Sequence, residues 1–257
     1  MKNEVKDGRT LNLPAGKKVV FLSDIHLGVP DASSSIAREK KLCTFLRSVA
    51  KESTIVFILG DLFDFWFEYK NAVPRGFTRI LGTLSDLSDQ GVEIHFFSGN
   101  HDLWMKDYLE IEVGAFIHRS PEKWMINGKT FVIGHGDGLG PGDYGYKIMK
   151  KIFLFPPFIW LFRWVHPDLG IPLAHFWSGK SRGAMAEEHY LGDDHEWLVS
   201  FCKDYLKEGS ADYFVFGHRH LVIDLPLGSS RYLNLGEWFK TSRCLEFKGQ
   251  ELSWREI

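Results

Sequence analysis

The chain has 257 residues, 44% of them hydrophobic, which is enough to bury one large core and too apolar for a disordered segment. Its 31 basic and 33 acidic residues leave a formal charge of -2, without the basic footprint of a general nucleic-acid binder. Cys43, Cys202 and Cys244 form no CxxC pair and fit a reducing compartment better than a disulfide framework, and the polar start, residues 1–18, has no apolar core of signal-peptide type.

The first predicted strand, residues 19–23, delivers Asp24-Ile25-His26. Positions two apart on an extended chain share a face, so a carboxylate and an imidazole can serve one ion there. Gly28, Pro30 and Ser33 to Ser35 read as loop, and 36–50 as a helix with Leu42, Phe45, Leu46 and Val49 on its apolar side. The β-branched and aromatic run 54–59 reads as a buried strand ending in Gly60-Asp61-Leu62-Phe63-Asp64. Strand, helix, strand opens a βαβ layout and predicts an α/β fold. A helix over 74–88 leads to a strand over 92–98 that ends in Gly99-Asn100-His101-Asp102, and a helix-like segment follows to Leu109. Residues 114–117 are strand-like, Asn127-Gly128 signals a hairpin, and the strand 130–133 ends in Gly134-His135-Gly136-Asp137. After a long apolar stretch and a helix over 184–206, the strand 213–216 runs into Gly217-His218-Arg219-His220. Strands over 221–225, 231–235 and 243–247 are expected to finish a second sheet.

Taken singly, these residues are ordinary. Asp24 or Asp64 can cap a turn, His95 and His118 read as sheet histidines, and His166, His175, His189 and His195 have no partner at ligand spacing. His218 and His220, at i and i+2 after a strand, have little packing rationale. Five strand ends carrying Asp, His or Asn point together to a dinuclear metal centre. Carboxylate and carbonyl oxygens suit Mg²⁺ and Mn²⁺, and imidazole moves the preference toward Mn, Fe, Co and Zn. Two ions about 3.5 to 4 Å apart need a bridging ligand, which a short carboxylate such as Asp61 can supply.

The five blocks, in this order from residue 24 to residue 220, resemble those of the calcineurin-like metallophosphoesterase superfamily. The resemblance implies a four-layer α/β/β/α sandwich over residues 1–257, with two divalent metal ions, commonly Mn²⁺, at one edge. It implies that Asp24, His26, Asp61 and His220 hold the first ion and Asp61, Asn100, His135 and His218 the second. His101 would face the substrate phosphate, with Asp102 orienting its ring. Within the superfamily the pattern is most similar to the UDP-2,3-diacylglucosamine diphosphatases of lipid A biosynthesis, on Ser23-Asp24-Ile25-His26-Leu27, on the extension of the second block through Phe65-Trp66, and on a hydrophobic insertion after the fourth block. That likeness implies a cytoplasmic enzyme on the inner face of the inner membrane, with a lipid-linked sugar nucleotide as its partner and no obligate protein partner. Well-known members carry Arg where this chain has His101, and often Thr where it has Arg219.

Substrate choice is expected from a helical insertion over 138–190. Its glycine-rich loop, 138–145, precedes the apolar stretch 146–165, which Pro156-Pro157 interrupts. The uninterrupted apolar run is too short for a membrane span, which needs about 20 residues. Two amphipathic helices meeting at the prolines would present an apolar face, either packed on the sandwich or serving as a lid for acyl chains at a bilayer surface. Tyr144, Tyr146 and Lys147 are candidate substrate contacts. Lys180 and Arg182 belong to a short basic, hydroxyl-rich segment that reads either as a phosphate-binding element or as a solvated loop. A soluble phosphodiesterase or phosphatase with the same metal residues and a noncatalytic scaffold are the alternatives.

Overall fold

Alternation along the central strands sets the layers. The computed structural model describes residues 4–142, 144–184, 189–190, 192 and 195–257, without the side chains of residue 175 and residues 177–184. Val19, Phe21, Ile55, Phe57 and Leu59 turn to one core, while Val20, Leu22, Val56 and Ile58 turn to another. That is the pattern of strands buried on both faces.

In chain order the elements are β1 (Lys6–Leu11), β2 (Lys18–Leu22), α1 (Ala32–Val49), β3 (Ser53–Leu59), α2 (Thr78–Asp89), β4 (Glu93–Phe97), α3 (Tyr108–Val113), β5 (Phe116–His118), β6 (Glu122–Ile126) and β7 (Lys129–Ile133). There follow α4 (Tyr144–Phe153), α5 (Pro156–Trp164), α6 (Pro167–Ala184), α7 (Trp197–Glu208), β8 (Tyr213–Phe216), β9 (Val222–Leu227), β10 (Ser230–Leu235), β11 (Arg243–Lys248) and β12 (Glu251–Glu256). One six-stranded sheet has the order β1-β6-β7-β8-β10-β9, the other β12-β11-β2-β3-β4-β5. Helices α1 to α3 cover the outer face of the second sheet, a mostly aromatic and aliphatic core joins the two sheets, and α7 covers the first. The result is an α/β/β/α sandwich. Strands β2, β3 and β4 run parallel side by side in one sheet, and β7 and β8 do so in the other. Their carboxyl ends carry all five blocks.

Several expected boundaries move, each for a local reason. Helix α1 takes in Ser33 to Ser35, because the Asp31 carboxylate accepts the backbone N–H groups of Ser33 and Ser34 at 2.9 Å and caps it. Helix α2 waits until Thr78, since Phe77 is left-handed at φ 60°. The residues after Asp102 are not helical until Tyr108, where the buried Glu68 carboxylate takes the N–H groups of Asp107 and Tyr108 at 3.0 and 3.1 Å. Residues 189, 190, 192, 195 and 196 are also outside any helix, so α7 begins at Trp197 and not near 184. The last strands do not finish one sheet: β9 and β10 join β8, whereas β11 pairs with β2 across the sandwich. Strands β1 and β12 carried no apolar signal because both are largely exposed edges.

His95 and His118 are sheet histidines with a structural task. His95 Nδ1 lies 2.9 Å from His118 Nε2 and its Nε2 lies 3.0 Å from Glu93, while His118 Nδ1 lies 2.9 Å from Glu122 on β6 of the opposite sheet. This chain carries polar contact across the sandwich. Burial pushes the His95 imidazole down to about 4 from its ordinary 6.5. The unfolded chain therefore takes up a proton first as pH falls, so stability is full above 6.5 and declines toward pH 4, by about 3 kcal/mol in the limit of one ideal site. Urea unfolding at pH 7, 5.5 and 4 should show that decline, and His95→Gln should flatten it. An equal slope in the variant would remove His95 as the cause.

Candidate metal centre

Asp61 follows β3 after Gly60 and stands where both sheets end. Its Oδ1 accepts the His101 backbone N–H at 2.9 Å. Its Oδ2 is buried, has no hydrogen-bond donor among the described residues, and lies 3.4 Å from His135 Nε2 and 3.9 Å from His26 Nε2. On one side of it the ligand atoms of Asp24, His26, Asp61 and His220 all lie within 4.8 Å of one another. His26 Nε2 is 3.1 Å from His220 Nε2, and His220 Nε2 is 3.3 Å from Asp24 Oδ1. On the other side Asn100 Oδ1 is approached by His135 Nε2 at 3.0 Å and His218 Nδ1 at 2.9 Å. An orphaned carboxylate oxygen flanked by two groups of convergent N and O donors fits divalent cations, with Asp61 between the two donor groups. The structure thus brings together the seven residues expected to ligate.

The backbone is bent to achieve this. Asp24, His26, Asp61, His218 and His220 all take left-handed φ, between 48° and 70°. Such values are uncommon for residues with a side chain and concentrate at functional sites. Close packing holds them. Asp24 N donates to Gly60 O at 3.2 Å, His26 N to Asp61 O at 2.9 Å, and His218 N to Asp24 Oδ2 at 3.0 Å. Arg38 of α1 is buried and donates to the carbonyls of Ile25, His26 and Val29, and Asn234 donates to Gly217 O. Arg219, between the two histidines, points away from them into a bidentate pair with buried Glu196 at 2.9 and 3.0 Å, over the Trp197 ring.

Electrostatics follow from burial and neighbours. Burial alone would raise Asp24 and Asp61, but His220 with His135 outweighs it at Asp24, and His135 with His101 and His26 at Asp61, so both carboxyls sit below their usual range. Burial holds His26 well below its ordinary value and His218 at about 3, leaving neutral rings, the form that binds metal. Against burial, the Asp61 carboxylate draws His135 upward.

Asp102 does not orient His101. Its carboxylate accepts the N–H groups of Gly99 at 2.7 Å and Leu62 at 3.0 Å, joining the second and third blocks, and burial followed by the Asp61 charge raises it to about 8. His101 Nδ1 instead meets the Asp64 carbonyl at 2.9 Å, with the Asp64 carboxylate 3.7 Å away and also 3.4 Å from His26 Nδ1. Asp64 therefore holds the His101 ring through its carbonyl and sets its carboxylate beside the His26 ring, the supporting place expected of the second acid of the block.

The expected substrate residues separate. Tyr146 donates to Asp137, with its ring 6.0 Å from that of His218, and Lys147 donates to Gly140 O at 2.5 Å. Tyr144, two positions away and so on the opposite side of α4, is 73% exposed and is not brought to the centre. Residues 180 and 182 lie in α6 and not in a loop, while the side chains of Lys180 and Arg182 lie outside the described residues, as does Asp143. Phe239, which no motif marked, stacks on His26 at 5.7 Å.

The calcineurin-like phosphoesterase family matches residues 17–222. A UDP-2,3-diacylglucosamine hydrolase from Porphyromonas gingivalis is 37% identical over 254 residues, covering 91% of this chain and 95% of its own. One from Aeromonas hydrophila is 27% identical over 232 residues, covering 88% and 92%. A solved archaeal phosphodiesterase aligns over 93% of this chain and 99% of its own at 12% identity and a TM-score of 0.48.

The glycines of the blocks give a test. A Cβ on Gly99 would collide with Asp61 Oδ1, and one on Gly217 with Ser23 Oγ and Asp24 Oδ2, whereas Gly82 in α2 opens onto free space. Gly99→Ala and Gly217→Ala should lower Mn²⁺ affinity at least about tenfold, one unit of 1.4 kcal/mol, with circular dichroism unchanged. Gly82→Ala should bind normally and gain about 0.5 to 1 kcal/mol of stability. Undiminished binding in both block variants would sink the packing account.

Proposed function

The chain belongs to the calcineurin-like phosphoesterase family, and we propose that its activity is the hydrolysis of the pyrophosphate of UDP-2,3-diacylglucosamine to UMP and 2,3-diacylglucosamine 1-phosphate. The observation that carries this reading is the 37% identity to the P. gingivalis hydrolase over 91% of the chain. Less than a tenth is left outside, so the match runs through the α4–α6 segment as well as through the metal loops. We take residues 138–190 to be an insertion within one domain of 1–257, acting as a lid.

In this reading Asp24, His26, Asp61 and His220 hold one cation and Asp61, Asn100, His135 and His218 the other, with Mn²⁺ as the proposed metal. When bound, two such ions activate water near neutral pH and offset the charge that builds on the phosphoryl oxygens. The chain's own groups do the rest. Donation from His101 Nδ1 to the Asp64 carbonyl leaves Nε2 as the working nitrogen, and burial lowers the ring from its ordinary value against the pull of the Asp61 charge. Protonated, His101 donates to the phosphoryl group attached to uridine, where water attacks, and the acylated sugar phosphate leaves. Tyr146 and Lys147 are proposed to meet substrate at the inner edge of the lid, with Lys180 and Arg182 joining them on the strength of charge.

The lid's outer surface supports a lipid substrate. Phe155, Phe158, Trp160, Leu161, Trp164, Leu169 and Phe176 are each about half exposed or more, and α4 adds the exposed Lys151 in its last turn. No helix among the described residues is long and apolar enough to cross a membrane. A surface of this kind suits peripheral contact with a bilayer, proposed to be the cytoplasmic face of the inner membrane.

Incubating Mn²⁺-loaded protein with UDP-2,3-diacylglucosamine should release UMP. Cleavage of bis(p-nitrophenyl) phosphate without UMP release would favour a soluble phosphodiesterase instead. Asp61→Ala should lose both cations and all turnover, whereas His101→Ala should lower kcat about 10² to 10⁴-fold with cation content near two per chain, by elemental analysis. Replacing Phe158, Trp160 and Trp164 with Ser should weaken use of the diacylated substrate more than use of a short soluble diester. Phe162 is unsuited to that test because its ring packs inward, 4.8 Å from Phe67. Equal losses on both substrates would remove the acyl role.

A further inference from the structure

The fifth block is a turn that needs holding. Arg219 N donates to Gly217 O at 2.8 Å across His218, whose φ is 70°, so the three residues close a γ-turn of the rare and strained positive-φ kind. His220 follows at φ 50°. This short stretch presents two imidazoles to two different donor groups, His220 Nε2 at 3.3 Å from Asp24 and His218 Nδ1 at 2.9 Å from Asn100. Rotation of the backbone between them would move one ring relative to the other.

The residue between the rings is fixed at its far end. Arg219 and Glu196 are both buried, and Arg219 Nε and Nη2 donate to the two Glu196 oxygens at 2.9 and 3.0 Å. The guanidinium also lies over the Trp197 ring, 5.2 Å from its centre. Glu196 stands at the start of α7, yet its carboxylate does not cap that helix and turns to the fifth block. The first turn of α7 is itself wedged against the fourth block. A Cβ on Gly140 would collide with Trp197 O, and one on Gly136, next to His135, would come within 3.1 Å of Leu198 Cδ1 and 3.5 Å of Gly217 O. The start of α7 thus fills the space between the loop that follows His135 and the turn that carries His218.

Stability alone is a weak reason for such a pair, since apolar residues of similar volume often serve a fold as well or better. Apolar residues lack direction, whereas a bidentate fork fixes the plane and distance of the guanidinium. We propose that Glu196 and Arg219 are positioning residues for the metal centre, which hold the γ-turn at His218 so that His218 and His220 each reach a separate cation. The proposal rests on the two-cation reading of the site and is independent of the substrate.

Calorimetric titration of metal-free protein with Mn²⁺, beside urea unfolding of the same metal-free protein, separates positioning from folding. Wild type should take two Mn²⁺ per chain. Glu196→Leu/Arg219→Met removes both charges at similar volume, and should keep the urea midpoint while Mn²⁺ affinity falls about 10- to 100-fold, the usual effect of losing a group that orients a metal ligand. Arg219→Lys keeps the charge without the fork and should lose affinity likewise, which carries the test if the double variant does not fold. Undiminished affinity in a folded variant of either kind overturns the proposal. A urea midpoint that falls in both variants makes the pair a folding element and also overturns it. Fewer than two Mn²⁺ in wild type removes the two-cation reading and the proposal with it.

Discussion

Everything at the sheet edge depends on one buried carboxylate oxygen that no donor among the described residues hydrogen-bonds. Asp61 Oδ2 faces His26 on one side and His135 on the other, and its sister oxygen is taken by the His101 backbone. Burying a carboxylate costs several kcal/mol after relaxation. Left-handed backbone at the five bent ligand residues adds about 1 to 2 kcal/mol each. Those costs rival the whole stability of an ordinary domain, about 5 to 15 kcal/mol. A folded chain sustains them where cation binding returns free energy to the native state.

The sandwich is what makes such a cluster rigid. Donors come from β2, β3 and β4 of one sheet and from the ends of β7 and β8 of the other, so their spacing is set by the core between the sheets. There Phe21 stacks on Phe57 at 5.2 Å within one sheet and on Phe131 at 5.9 Å across to the other. Ligand geometry is thus a property of aromatic packing well below the site. A loosened core would be felt as weakened metal binding before it was felt as lost secondary structure.

This division explains what could be read from the chain. The metal residues were legible because each lies at the end of a short, unbroken apolar run, β-branched and aromatic, that marks a strand buried on both faces, and because glycines flank most of them. The role of Asp102 was not legible. Adjacent to His101 in sequence, it turns to the backbone of Gly99 and Leu62, and Asp64, 37 positions before His101, takes the ring. Contacts between blocks are made by loop curvature, which leaves no periodic trace. Edge strands β1 and β12 were silent for a different reason, since an exposed edge has no apolar face to declare. Residues 189, 190, 192, 195 and 196, which precede α7 and lie outside any helix, were expected to be helical. The start of α7 is fixed instead by Glu196, whose carboxylate is committed to Arg219 of the fifth block.

The metal centre and the α4–α6 segment share a joint. Asp137 lies two residues after His135, and its carboxylate accepts from Tyr146 and Lys150 of α4, with the Lys150 charge holding it at about 2 against burial. The same α4 is tied at its other end through Phe153 to Trp104, three residues past His101. Helix α4 is therefore pinned to the fourth block at one end and to the third at the other. Movement of this helix would press on the loops holding His135, Asn100 and His101 together, and effective catalysis demands alignment to a fraction of an ångström. In the proposed reading, an acylated substrate seated against α4 to α6 aligns the centre through these two pins, while a short diester relies on the sandwich alone.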